Sequence, residues 1–469
     1  VNQAQPNILL ILTDQQNVNT LGCYGSTALT PNIDHLANQG VTFTQHYVTS
    51  PLCVPSRGSL WTSRYPHQTG VMVNDEARPI ALPDEAITIG DVLKEAGYRN
   101  GYFGKWHLGR DHSPQHGFDE WWAHLRGSYE QDLAETGALY LDPLKDRLAQ
   151  RQDVPFELAH DTETTNRALA FIEDTRKGSS PFFCVVSMRA PHDPYVGPFD
   201  DAYDPAAIPL PSTAWNNLDR KPQTQNRGAP RQWFDQLVGL QRTPDSESRL
   251  QQIIARYWGL VRLVDINVGR LLSAIAENDL DDNTIILFLS DHGDMMGAHS
   301  LFAKGLFMYE ESTRIPWIVR WPGHIPAARR VDALTSMVDV VPTILELVRV
   351  GQPTSMVGVS ARQLWDYGYN RRTAVFMEVY ESYGNWGPVL SIRTERYKYS
   401  WYLGDEDELY DLLEDPNETM NLANDRRQRD LIFGLRTQIS AWLRESGDPS
   451  LSSLLAISRG QVVDGSLDT

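Results

Sequence analysis

Three short clusters in this chain combine residue types that do chemistry. Asp14-Gln15 follows the apolar run "NILLIL", Asp291-His292 follows "TIILFLS", and Cys53 opens "CVPSRGSLWTSRYPHQTG" with Arg57 four residues on. Two carboxylates, an amide oxygen and an imidazole make a donor set for a divalent cation. Rich in oxygen and without thiolate, it fits Ca2+ or Mg2+ better than zinc. Each pair alone is equally a polar turn after a strand; their matched placement argues for one shared site.

Cys53 has the residue type of several thiol catalysts without their spacing. A phosphatase-type loop needs arginine at the position held here by Ser59. No Cys–His protease signature surrounds it. Ser290, Asp291 and His292 are adjacent in the chain, so they cannot fold onto one another as a triad. A lone cysteine is commonly a buried structural thiol. Against that, Pro55 suits a first helical turn. Residue 53 then lies at the positive end of a helix beside Arg57, a natural cradle for an anion.

The elements that must position these residues alternate between strand and helix. Residues 7–12, 98–103, 181–188 and the run from Thr284 read as strands buried on both faces. Helical patterns fill "PNIDHLANQG", "TIGDVLKEAG" up to Gly97, and the long stretch 249–280. This predicts an α/β fold with a large, mostly parallel, helix-covered sheet. Ligands bind beyond the carboxyl ends of such strands, which is where the four polar clusters emerge. Segments 126–160 and 200–248, rich in Pro, Asp, Gln and Arg, read as long loops or insertions that shape a pocket. From about residue 371, short strands and a final helix read as a smaller antiparallel α+β subdomain. The expected division is a catalytic domain over 1–370 and a C-terminal subdomain over 371–469.

Composition narrows the partners. The 469 residues carry 42 basic and 60 acidic side chains, a net charge of −18. Such a chain is a poor partner for nucleic acid or an anionic membrane surface, and an anionic substrate needs a local basic cluster or a metal. Three cysteines, Cys23, Cys53 and Cys184, make neither a disulfide framework nor a zinc site. No apolar run approaches the roughly 20 residues of a membrane span. A strand starting within the first residues favours a cytoplasmic chain, with a periplasmic or secreted one as the alternative if a signal peptide has been removed. Oligomeric state is not legible.

Cys53-Val54-Pro55-Ser56-Arg57, continuing through "GSLWTSRYPHQTG", resembles the signature of the type I sulfatases of the alkaline phosphatase superfamily. The resemblance extends along the chain. It includes "PNILLILTDQQ", "GYFGKWHLG", "APHDPY", "SDHGDMMGAHSLFAKGLFMYEESTRIPWIVRWPG" and "ELYDLLEDPNETMNLA", in family order. It implies that Cys53 is oxidised to formylglycine by a maturation enzyme, and that the aldehyde hydrate is the nucleophile. It also implies that Asp14, Gln15, Asp291 and His292, with modified Cys53, bind the metal, Ca2+ or another divalent ion. Arg57 would hold the nucleophile's oxygens, Lys105 and Lys304 the sulfate oxygens, His107 the diol, and His192 would face the leaving oxygen. One hydroxyl of the hydrate attacks sulfur, and the alcohol leaves with a proton from His192 or Lys304. The other hydroxyl, deprotonated by His107, expels sulfate and restores the aldehyde.

The implied substrate is a small-molecule or carbohydrate sulfate ester. Asp14-Gln15 departs from the paired aspartates of many members, and Asn17 and Asn19 replace charged residues common after them. The Gln form resembles a subgroup with choline-sulfatase-like enzymes and phosphonate monoester hydrolases, so a phosphonate monoester or phosphodiester hydrolase is the alternative. A catalytically silent binding protein of the same fold is a second, opposed by the intact Lys105, His107, His192 and Lys304. Among other candidates, Asn74 touches substrate or serves a turn, and His299 braces Lys304. Trp121, Trp122 and Trp386 form either a stacking wall or core.

Overall fold

The structure, a computed structural model, describes residues 5–74, 80–123, 155–216, 218–368 and 372–447. Most of the segment 126–160 lies outside these. Nine strands build the main sheet: β1 Asn7–Thr13, β2 Val41–Tyr47, β3 Arg99–Gly104, β4 Glu120–Trp122, β5 Phe182–Ser187, β6 Thr284–Ser290, β7 Arg314–Arg320, β8 Arg329–Val331 and β9 Thr335–Ser336. Their order is β4-β3-β5-β1-β6-β7-β2-β8, with β9 also on β2. Among these strands β7 alone runs against its neighbours. The four runs expected as strands are β3, β5, β1 and β6, side by side and parallel.

The continuous apolar sequence of β1 follows from burial on both faces. Leu9 and Ile11 join one buried cluster, while Ile8, Leu10 and Leu12 join another. Helices Pro31–Asn38, His160–Thr175 and Pro244–Glu277 cover the first face. Helices Cys53–Thr62, Ile89–Glu95 and Val340–Leu347 cover the second. Each fully buried Leu or Ile contributes about 1.5–3 kcal/mol. Local signals agree with this packing: Thr88 caps the helix Ile89–Glu95 by accepting from the Asp91 N–H, and Gly97 takes φ 90° just past its end.

One stretch differs from expectation. Residues 200–248 hold the short helices Gln223–Arg227 and Ala229–Leu237 and the first turn of the long helix, not only loops.

A second sheet is antiparallel throughout, in the order β10 Ala374–Ser382, β11 Asn385–Thr394, β12 Tyr397–Tyr402, β13 Glu408–Asp411. The terminal helix Arg429–Ser446 lays Leu435, Ile439, Trp442 and Leu443 onto it. Val375, Met377, Val379 and Val389 pack instead against Tyr47, Leu52, Leu306 and Met308. The second sheet thus braces the chain immediately before Cys53 and just after Lys304. Among the described residues no helix is long and apolar enough to cross a membrane.

His46 in β2 is fully buried, its Nδ1 3.0 Å from Thr335 Oγ1. Burial, reinforced by the Arg372 guanidinium, pushes the imidazole down from 6.5 to about 3. The unfolded chain takes up a proton near 6.5 that the fold refuses. His46 therefore leaves stability intact above 6.5 and lowers it by up to ~1.4 kcal/mol per pH unit as pH falls toward 3. His46→Gln should flatten the acid limb of a melting-temperature profile by about one proton; an unchanged limb contradicts this assignment.

Candidate active site

Register brings the first residues together. Thr13 pairs with Ser290 across β1 and β6, so Asp14 and Asp291 leave the sheet side by side. Leu12 and Gly104 both pair with Ser187, which places Lys105, one residue past β3, at the same edge. Cys53 opens the ten-residue buried helix behind this edge, with Leu52 extended before it. Cys53 and Arg57, four residues apart, share one helix face.

The ligand atoms of Asp14, Cys53, Asp291 and His292 lie within 4.8 Å of one another, all buried. Cys53 Sγ is 3.1 Å from His292 Nε2 and 3.8 Å from Asp14 Oδ1. His292 Nδ1 sits 2.8 Å from the Gly293 carbonyl, which leaves Nε2 as its inward ligand atom. Arg57 is fully buried between the acids: Nε donates to Asp291 Oδ2 at 2.8 Å and Nη2 to Asp14 Oδ2 at 3.1 Å. Its Nη1 donates to the Lys105 carbonyl and to Ser187 Oγ. Two carboxylates, an imidazole and the atom at position 53 fit a divalent cation by donor chemistry. Here Sγ occupies the place of the oxygen that a modified residue 53 would present.

Gln15, expected as a metal ligand, is held next to that cluster, its N–H donating to Asp291 Oδ1 at 3.0 Å. Its backbone takes φ 64°, and its Oε1 accepts from Lys304 Nζ at 2.6 Å while Nε2 donates to Asp294 Oδ2 at 2.5 Å. Tyr195 fixes Asp294 at 2.8 Å, and Tyr257 holds the Gln15 carbonyl at 2.6 Å. The carboxamide thus aims Lys304, which also reaches His192 Nε2 at 3.1 Å. His192 Nδ1 lies 2.7 Å from the Asp193 carbonyl. Asp294, Tyr195 and Tyr257 are not legible as site residues from the sequence; Asp294 lies inside "SDHGD" and Tyr195 ends "APHDPY", while Tyr257 carries no signal.

Charge converges on residue 53. Lys105 Nζ is 3.6 Å from Sγ and pairs with Asp14. Burial pushes the Cys53 thiol up, but Lys105, Lys304 and His292, with a hydrogen bond to His107, outweigh it and hold it well below its ordinary value. Burial and then Lys105 push His107 down; burial and then Lys304 push His192 down. Lys304 is raised despite burial by the anionic character at Cys53. The site is therefore charged to hold an anion at residue 53, with both histidines kept neutral.

The remaining candidates separate. Asn74 Oδ1 accepts from the Val54 N–H at 2.9 Å and caps the helix that carries Cys53. His299 does not reach Lys304; it stacks on Tyr309 at 4.0 Å. Trp121 stacks on Tyr102 and bonds the Asp111 carbonyl, and Trp122 packs on His160, so both serve packing. The side chain of Trp386 lies outside the described residues.

A helix-covered parallel sheet with ligand residues at its carboxyl edge and a small antiparallel subdomain defines an alkaline phosphatase-like hydrolase. Residues 6–350 match the sulfatase family, and residues 297–445 match the C-terminal region of N-sulphoglucosamine sulphohydrolase. The chain belongs to the sulfatase family, and with it to the sulfuric ester hydrolases. It is 32% identical to an uncharacterized sulfatase of Escherichia coli (strain K12), over 95% of this chain and 88% of that one. A solved structure in complex with its substrate D-glucosamine-2-N,6-O-disulfate matches with TM-score 0.76 and 25% identity, over 95% of this chain and 99% of that one. A phosphonate monoester hydrolase of Agrobacterium radiobacter shares the fold with TM-score 0.80 at 23% identity, over 94% and 96%.

Proposed function

We propose that this protein hydrolyses a sulfate monoester by S–O cleavage, using formylglycine made from Cys53. One observation carries the reading: Lys105 Nζ, 3.6 Å from Sγ, and His292 Nε2, 3.1 Å from it, converge on residue 53 inside a buried metal-type ligand set. A sulfate ester is an anion that repels nucleophiles, so its charge must be offset before attack. A divalent cation held by Asp14, Gln15, Asp291, His292 and residue 53 would supply Lewis-acid charge for this; Ca2+ is the family-typical ion. As a hydrated aldehyde, residue 53 offers two hydroxyls, one to attack sulfur and one to expel sulfate afterwards.

The chain's own residues do the rest. Arg57 fixes Asp14 and Asp291 and neutralises them. Lys105 and Lys304 hold sulfate oxygens, with Gln15 aiming Lys304. Lys304, hydrogen-bonded to His192 Nε2, makes the pair a proton source for the departing alkoxide. His107, kept neutral by burial and Lys105, takes the proton of the second hydroxyl. The likeness to the glucosamine disulfate complex supports a sulfated sugar as substrate class.

The Asp14-Gln15 form resembles the subgroup that includes phosphonate monoester hydrolases, which makes a phosphonate ester the competing substrate. Rates on an aryl sulfate, a phenyl phosphonate monoester and a phosphate diester decide between them. The sulfate should be cleaved with the highest kcat/KM. A strong phosphonate preference would overturn the assignment.

A further inference from the structure

The hairpin joining β10 to β11 turns on Tyr383-Gly384, between the paired residues Ser382 and Asn385. Both turn residues have positive φ, 51° and 74°. This is the geometry of a two-residue turn that favours Asn-Gly, and a tyrosine in its first place is strained. Burial does not account for the choice, because 42% of Tyr383 is exposed. The strain thus falls on an aromatic ring that the fold leaves open to solvent.

That ring stands at the active site. Ser382 and Tyr383 line a small cleft with Gly305, Leu306 and Phe307, the residues directly after Lys304. Trp233, on the helix Ala229–Leu237 whose first residues line the same cleft, meets the ring edge-on, with centroids 4.9 Å apart and planes at 78°. An edge-on contact steadies the tyrosine while leaving ring surface uncovered.

We propose that Tyr383, steadied by Trp233, is a specificity-determining residue that stacks on the apolar face of a ring carried by the leaving group. The ring is a pyranose or an aryl group, and the proposal rests on the sulfatase reading above. Tyr383 borders the residues that follow Lys304 and recognises the ester by the shape of what departs.

The test compares Tyr383→Ala, Tyr383→Phe and Tyr383→Gly with the wild type on 4-nitrophenyl sulfate, glucose 6-sulfate and methyl sulfate. The Ala and Gly variants should lose on the order of 10-fold in kcat/KM on a ring ester, mainly through KM, and the Phe variant should stay near wild type. Methyl sulfate, which has no ring, should be turned over equally by all four proteins. Which ring ester suffers tells pyranose from aryl. Glycine suits the turn, so its variant separates lost stacking from lost folding. Equal losses on methyl sulfate, or no loss on either ring ester, overturn the proposal. A wild type that cleaves phosphonates but no sulfate overturns the sulfatase reading alone, and phenyl against methyl phosphonate esters then test the platform in the same way.

Discussion

Cys53→Ala should lower kcat on any sulfate ester by on the order of 10^4-fold or more, because it removes the attacking atom itself. The loss should come without collapse of the fold, since the helix Cys53–Thr62 is anchored by Leu60 and Trp61 in the core. Cys53→Ser separates two halves of the chemistry. Its Oγ can attack sulfur and release the alcohol, but the sulfated serine has no second hydroxyl with which to expel sulfate. The Ser variant should give at most one turnover and gain the mass of SO3 on residue 53. Multiple turnovers by the Ser variant would contradict a role for the hydrated aldehyde.

Arg57→Ala has the second largest expected effect, and its size depends on the metal. Arg57 is wholly buried and bonds Asp14 and Asp291, which are themselves inaccessible. Removing one partner of a buried pair costs about 3–5 kcal/mol, because Asp291 loses its guanidinium and Asp14 is left with Lys105. In chelator, the variant should therefore melt well below the wild type. A divalent cation on the same carboxylates replaces part of the lost charge, so added metal should recover more stability in the variant than in the wild type. Activity should still fall roughly 10^2–10^3-fold with metal present, since the carboxylates and the Lys105 loop lose their common anchor. Arg57→Lys should rescue poorly, as an ammonium cannot bridge both acids and reach Ser187. Equal melting in chelator would contradict this account of the pair.

The legible part of the fold was the part buried on both faces. β1, β5 and β6 are unbroken apolar runs, and the polar residues beyond them marked the edge where Asp14 and Asp291 meet. β2 was not legible, because its Thr42, Thr44, Gln45 and His46 break the apolar pattern. The fold tolerates them there through partners far along the chain, such as Thr335 for His46 and Asp332 for Thr44. The reversal of β7 has no signature within "RIPWIVR". At the site, residue types and strand ends pointed to Asp14, Asp291, His292 and the Cys53–Arg57 pair, and the structure brings these together. The use of Gln15 was hidden, because its partners Lys304 and Asp294 lie almost 300 residues away and reach it only through the β1–β6 register. Trp233 and Tyr383 meet for a similar reason, from a segment that reads as loop and from the second sheet.

The central claim is that residue 53 does not act as a thiol. Mass spectrometry of the peptide carrying residue 53, on preparations whose specific activity has been measured, tests it most directly. The account predicts that residue 53 has lost sulfur and two hydrogens and gained one oxygen, and that activity rises in proportion to the converted fraction. A fully active preparation in which residue 53 is a thiol throughout would contradict it.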